Sequence, residues 1–555
     1  MSIRARTLTH VRCPSLCTAL ALFAVAFAAA CAHPRNEPSD RGTRGVVRDR
    51  PDTAAPAIEV AQLGYTSAPT ARPSKDIDGD GDDDLVVGLP FGAFPREARG
   101  GYVETFEGRR AVAAPNAINN TTSKLWSQRD AGLPDDAQEN DRFGQTLAVG
   151  DFNGDGYADV AVGVPGEAGP AHEDRAGAVQ ILYGSEAMLL PNGASLWFMD
   201  DLDGATGPDE ELSFALAAHD LNEDGFTDLI VGAPGDGEAG SITVVWGNQD
   251  RTVSPPVGPQ LEAQRVLGAD LGLPAGARFG AAIDVGHFDG DRELDLAVGA
   301  PGADVGEAVD AGRVVVLTDV SRDNLPGLHR SFGLNTPYVQ GTARSGDHLG
   351  AALAVGDFNH DGVDDLAMAA PGEQIGETDN AGAVHVLYGL HGTGLTAGFN
   401  AWFFQTPTSG DAATGDRFGE ALAAGDYNDD GYDDLVIGVP GDGTTHAGAI
   451  HHLPGSATRL SWSAQRRITQ PFGEHEPNDQ FGAPLSTGDF NADGYDDLVV
   501  GIPHETIGLR IAAGAVRVHY GAATPLTASA MLSQAHAGVA GTAEAGDQFG
   551  GGLPR

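Results

Sequence analysis

Asp426, Asn428, Asp430 and Asp434 place side-chain oxygens at positions 1, 3, 5 and 9 of one short loop, with Gly431 at position 6. A hard divalent cation needs roughly six to eight oxygens at about 2.3 to 2.6 Å, and alternating acidic residues followed by a glycine bend can converge that many on one point. The backbone carbonyl of position 7, here Tyr432, adds a further oxygen. The pattern is the start of an EF-hand loop without its closing glutamate, so the carboxylate at position 9 has to complete the shell. No Cys or His stands at ligand spacing, which favours calcium over zinc.

The same oxygens recur in five other places. The sets are Asp76, Asp78, Asp80, Asp82 and Asp84; Asp151, Asn153, Asp155, Tyr157 and Asp159; and Asp220, Asn222, Asp224, Phe226 and Asp228. They continue as Asp357, Asn359, Asp361, Val363 and Asp365, and as Asp489, Asn491, Asp493, Tyr495 and Asp497, position 7 acting through its carbonyl throughout. Six calcium ions are the expected complement. A further copy departs, with His287 at position 1 and Arg292 in place of the glycine, and the sequence predicts a weak or empty site there despite Asp289, Asp291 and Asp295. Polar hairpin turns favour Asp, Asn and Gly by themselves, but six loops with the same four ligand positions exceed what turn chemistry requires. Without metal each loop crowds three or more carboxylates, so a bound cation relieves repulsion and stabilises the fold by mass action.

These loops sit in a longer frame. Loop, apolar run and proline begin at Asp76, Asp151, Asp220, His287, Asp357, Asp426 and Asp489, and each proline stands fourteen positions on. The starts are 63 to 75 residues apart, the length of a four-stranded propeller blade with generous loops. Ahead of six loops stands an apolar residue, usually before glycine: Phe143, Leu212, Phe279, Leu349, Phe418 and Phe481. The segment from Phe143 to Gly150 reads as a first strand and Asp434 to Gly438 as a buried second one. A third follows a small-residue pair, as in Ala381-Gly382 ahead of Ala383 to Tyr388, and looser stretches such as Ser195 to Met199 and Ala401 to Gln405 supply the fourth. The prediction is an all-β, seven-bladed β-propeller over residues 76–555. The first repeat has no Phe-Gly segment, whereas Phe549-Gly550 near the C-terminus has no loop after it. The C-terminal strand is therefore expected to close the ring and remove exposed sheet edges.

Residues 1–31 read as an export signal, with Arg4, Arg6 and Arg12 ahead of an apolar run from Ala19 to Ala30. That run is too short for a confident membrane span. Cys31 follows three alanines in a lipobox-like setting, which makes it the expected lipidation site, although Ala28 replaces the usual leucine and ordinary cleavage stays open. Residues 32–75, rich in Pro, Arg, Asp, Ala and Thr, read as a disordered tether. Residues 1–75 hold ten basic and five acidic side chains, leaving 23 basic and 73 acidic for the remainder. Nucleic acid and anionic membrane surfaces are therefore excluded as partners of the propeller, and a membrane enters only through a lipid at Cys31.

Together the Phe-Gly strand, the Asp-x-Asn-x-Asp-Gly-x-x-Asp loop and the Gly-x-Pro ending resemble FG-GAP repeats, those of the integrin alpha-subunit propeller. That resemblance implies calcium loops on one face and partner docking on the other, through loops such as 166–175, 371–380 and 504–510. There is no inserted adhesion domain or leg domain, so a heterodimeric receptor is not implied. The similar repeats of glycosylphosphatidylinositol-specific phospholipase D follow a separate zinc catalytic domain, whereas the non-repeat sequence here reads as signal and tether. No G-x-S-x-G, H-E-x-x-H or P-loop pattern occurs. The expectation is a monomeric, non-enzymatic, exported module at the cell surface or secreted, binding a protein or glycan. A hydrolase or lyase with a channel site, or a purely structural surface module, are the alternatives.

Overall fold

The computed structural model describes residues 75–554 apart from 93–98, 109–117, 119–122, 131, 135–136, 172–173, 203, 248–261, 407–411 and 472–473. The signal, Cys31 and nearly all of the tether lie outside the described residues.

Seven antiparallel sheets follow one another along the chain, six of four strands and the first of three. In the second blade the strands run Leu147–Gly150, Asp159–Val164, Ala178–Tyr183 and Leu190–Trp197, paired in sequence order. The second strands, apolar after a leading aspartate in six blades, are buried along their whole length in every blade, as expected where both sheet faces are covered by neighbours. The inner strand is shorter than the sequence suggests. Gly144 takes φ +87°, so the chain turns there and only Leu147–Gly150 is extended. The fourth strands lie slightly earlier than expected, at Leu190–Trp197 and Thr396–Phe403.

The Phe-Gly segment builds the junction between blades. Phe143, Phe279, Phe418, Phe481 and Phe549 are all fully buried. Each N–H bonds a carbonyl just ahead of the preceding blade's third strand, from Phe143 to Gly100 at 2.8 Å round to Phe549 to Ala513 at 2.9 Å. The glycine of the small-residue pair permits this approach, because a Cβ on Gly514 would stand 2.3 Å from the Phe549 nitrogen. Seven apolar clusters result, each spanning two neighbouring blades and together closing the circle.

The ring is closed by the C-terminal strand. Gly550 donates to Gly88 at 3.0 Å and Gly88 to Gly552 at 2.7 Å, repeating the bonds that Gly144, Gly163 and Thr146 make in the second blade. The Phe549 ring meets Phe106 of the first blade edge to face at 6.3 Å. Residues from the far end of the sequence thus stand where the first blade lacks an inner strand.

Candidate metal centres

Six acidic loops join an inner strand to the second strand and the first leads into its blade's second strand, so all seven lie on one face of the propeller. The local chain folds around its own carboxylates. In the second loop Asp151 accepts from the N–H groups of Asp155 at 3.1 Å and Gly156 at 2.9 Å, while Asn153 and Asp155 each cap the amide two residues on. The loops at Asp220, Asp357, Asp426 and Asp489 repeat the position-1 bonds. Such turns draw the position-1 carboxylate towards the amides of positions 5 and 6, and the glycine at position 6 carries the bend with φ from +81° to +98° in the six regular loops.

Position 9 is the buried member. Asp84, Asp159, Asp228, Asp365, Asp434 and Asp497 are at most 1% exposed. In all seven blades one oxygen of this carboxylate accepts an N–H from the residue just after the third strand, at 2.7 to 3.0 Å. Burial, followed by backbone bonds that oppose it and by repulsion from loop carboxylates, lifts Asp84 and Asp497 to about 8 and Asp365 to about 9. Asp228 rises to about 7 and Asp159 well above the ordinary range for the same leading cause. Asp78 rises to about 6 through burial and Asp80. Several oxygens held together at this cost fit a hard dication that no Cys or neutral imidazole set would suit.

Asn359, Asn428 and Asn491 donate through Nδ2 to the position-9 carboxylate at 3.2 to 3.3 Å. Their amide hydrogens thereby face the carboxylate as a cation would, and a half-turn of the amide presents Oδ1 instead. Tyr157, Phe226, Val363, Tyr432 and Tyr495 occupy position 7 as expected, with their own N–H groups held by the position-5 aspartates. Asp82 fills position 7 of the first loop, and its Oδ1 is buried without a hydrogen-bond partner. In the first loop oxygens of Asp76, Asp78 and Asp84 lie within 4.8 Å of one another.

In the fourth loop a residue appears that sequence reasoning missed. Asp289, Asp291 and Asp319 bring their oxygens within 4.8 Å of one another. Asp319 follows the third strand Arg313–Thr318, and its N–H holds Asp295 at 3.0 Å. The other six blades have glycine at this place, Gly184 and Gly389 among them, because a Cβ there would meet the position-8 carbonyl at 2.3 to 2.5 Å. Asp319 escapes that clash with φ +56°, a conformation aspartate tolerates. Arg292 is exposed. His287 Nδ1 pairs with the Glu293 carbonyl at 3.0 Å. The signal was present in the sequence as a break in an otherwise invariant glycine, thirty-two residues from His287.

A channel along the propeller axis opens beside the loops as a cavity of about 860 Å³. Inner-strand residues such as Val149, Ile283, Leu353 and Leu422 line it, with His219, Ser486 and Lys75 among the polar groups.

Blades and loops of this kind define a seven-bladed propeller with an acidic hairpin in each repeat. Six segments, 143–182, 213–245, 279–317, 349–387, 418–453 and 481–519, match the FG-GAP repeat family, and the chain is an FG-GAP repeat protein. It is 33% identical over 247 residues to integrin alpha-PS5 of Drosophila melanogaster, covering 43% of this chain and 22% of that protein. Integrin alpha-5 of Xenopus laevis is 28% identical over 233 residues, covering 40% of this chain and 20% of its own length. Phosphatidylinositol-glycan-specific phospholipase D of Homo sapiens is 26% identical over 502 residues, covering 83% of this chain and 54% of that protein. The chain thus spans between about a fifth and a half of these relatives. Among the described residues no helix is long and apolar enough to cross a membrane.

Proposed function

We propose that the protein is an exported, calcium-stabilised propeller that binds a protein or glycan ligand at the cell surface, without chemistry of its own. The observation that carries the calcium part is the buried carboxylate at position 9 of the regular loops, crowded by other carboxylates of the same loop. Six regular loops take one ion each, and the fourth takes one through Asp289, Asp291, Asp295 and Asp319. The binding part draws on the similarity to integrin alpha chains. Ligand contact falls to the face opposite the calcium loops, where the segments after the prolines turn. There Leu509 is 96% and Ile511 72% exposed, apolar side chains standing in solvent in the blade 7 loop. The export signal, with or without a lipid at Cys31, delivers the propeller to that surface.

The test is a panel of immobilised extracellular proteins and glycans probed with the chain in calcium, followed by L509D and I511D on any ligand found. Saturable binding that both variants weaken while calcium content stays constant supports the reading. Absence of any saturable ligand leaves a structural surface module. A second reading keeps the axial cavity as a hydrolytic site, favoured by the long similarity to the phospholipase D. Activity lost on altering His219 with the fold intact would establish it instead.

A further inference from the structure

Position 8 of the loop has no place in its own metal shell, yet in four blades it is an aspartate that reaches into the loop of the preceding blade. Asp496 of blade 7 accepts the N–H of Asp426 in blade 6 at 3.0 Å. Its own N–H donates to the Asp426 carbonyl at 3.3 Å, so the peptide of a position-1 ligand is clamped on both sides. Asp433 clamps Asp357 in the same way, at 2.9 and 3.3 Å. Asp83 of the first blade accepts the N–H of Asp489, joining blade 1 to blade 7 across the closure. Asp364 repeats the clamp on His287, where position 1 is not a ligand. A second contact runs the same way. Tyr432 at position 7 lies against His360 of the preceding loop with ring centroids 5.5 Å apart.

Resting on the calcium reading above, we infer that Asp83, Asp433 and Asp496 are positioning residues that couple the cation loops of blades 5, 6, 7 and 1, so that an ion in one loop raises the affinity of the next. Position 8 stands between the carbonyl of position 7 and the carboxylate of position 9, both of which an ion fixes. An ion in blade 7 therefore orders Asp496, and Asp496 holds Asp426 in the geometry that blade 6 needs. The second ion meets a loop already ordered and loses less conformational freedom on binding. Coupling of this kind is reciprocal, and ordinary values run from about fivefold upward. Repulsion between the ions opposes it and is weakened by salt.

The experiment is calcium titration of the full chain by calorimetry in physiological salt, with wild type, D496A and D496N. D496N keeps an oxygen to accept the Asp426 N–H, whereas D496A loses that side-chain half of the clamp and keeps only the backbone bond to the Asp426 carbonyl. The wild type and D496N are expected to give steep isotherms, and D496A a flatter one, with the blade 6 site weakened about fivefold or more and the number of ions at saturation unchanged. Calcium bound in full with isotherms of equal steepness in all three overturns the coupling alone. Failure of the wild type to bind calcium overturns the metal reading and the coupling with it. Should D496A not fold, D433A makes the same comparison for blades 5 and 6.

Discussion

Blade 4 and blade 7 are built from the same strands around different polar residues. Blade 7 has Asp489 and Gly494 in its loop and Asp479 and Glu505 buried at the opposite end of the same strands. Blade 4 has His287 and Arg292 in the loop, and at the other end Ala277 and Ala303, both fully buried, stand where the acids would be. The two acids of blade 7 are lifted to about 6 and 7, chiefly by burial. Yet blade 4 keeps four strands in register, and Phe279 seals its junction as Phe481 does in blade 7. The blade is therefore specified by its apolar strands and the Phe-Gly junction. The buried acids at the far end are dispensable, since two alanines replace them in blade 4, whereas its loop still gathers Asp289, Asp291 and Asp319.

The largest expected effect separates those two parts of the design. Removing calcium with a chelator should lower the melting temperature sharply by scanning calorimetry, since each ion at one hundred times its dissociation constant contributes about 2.7 kcal/mol. The pH dependence should invert with it. Asp84, Asp365 and Asp497 are raised to about 8, 9 and 8. A raised carboxyl favours the protonated fold, so its contribution is complete below the ordinary range of about 4 and is lost as pH climbs through 8 to 9. Chelated protein should then gain stability on acidification from pH 9 towards 5, while the calcium-loaded protein should not. Equal melting curves with calcium and chelator at every pH would mean that the loops are turns only.

Next in size, F279A and F481A should each cost about 3 to 5 kcal/mol, the ordinary loss for an excavated aromatic. The comparison predicts that the two losses agree within error by denaturant unfolding, because both rings fill the same kind of junction. A loss at Phe279 far below that at Phe481 would show that blade 4 is held differently after all.

Much of this was legible in residue spacing, for physical reasons that also mark where legibility stops. Phe-Gly and Gly-x-Pro recur at fixed spacing with few departures, Leu212-Ser213 and Ala369 among them, so blade number and ring closure through Phe549 could be read from the chain. The bend of the acidic loops was legible because alternate acidic side chains and a glycine at position 6 are a local arrangement. Strand limits were not, since the turn at Gly144 depends on Phe143 bonding to Gly100 of another blade. Asp319 and the clamps of Asp433 and Asp496 escaped for the same reason. Each acts on a loop distant from it in sequence, and the one mark of Asp319 is the loss of a glycine that the other six repeats keep.

Two smaller changes bear on the loop of blade 4 alone. D319G installs the residue that the other six blades use and removes one of the three carboxylates gathered there. The count of bound calcium by elemental analysis should fall by one, with stability changing by no more than one site contributes, about 2.7 kcal/mol under the same excess. An unchanged count would mean that blade 4 never held an ion, as its loop sequence by itself suggests.

R292G should do the reverse and on a smaller scale. Arg292 is exposed, so its charge acts on the Asp289, Asp291 and Asp319 oxygens through water rather than through the protein interior. Unit charges about 4 Å apart in water interact by about 1 kcal/mol, and a mobile exposed side chain stays farther away on average. Removing it should tighten calcium at the fourth site by about fivefold at low salt and by less at high salt, where the charge is screened. The glycine also supplies the bend that the six regular loops have at position 6, a contribution that salt does not touch. A gain that persists undiminished at high salt would therefore assign the weakness of blade 4 to backbone shape rather than to charge.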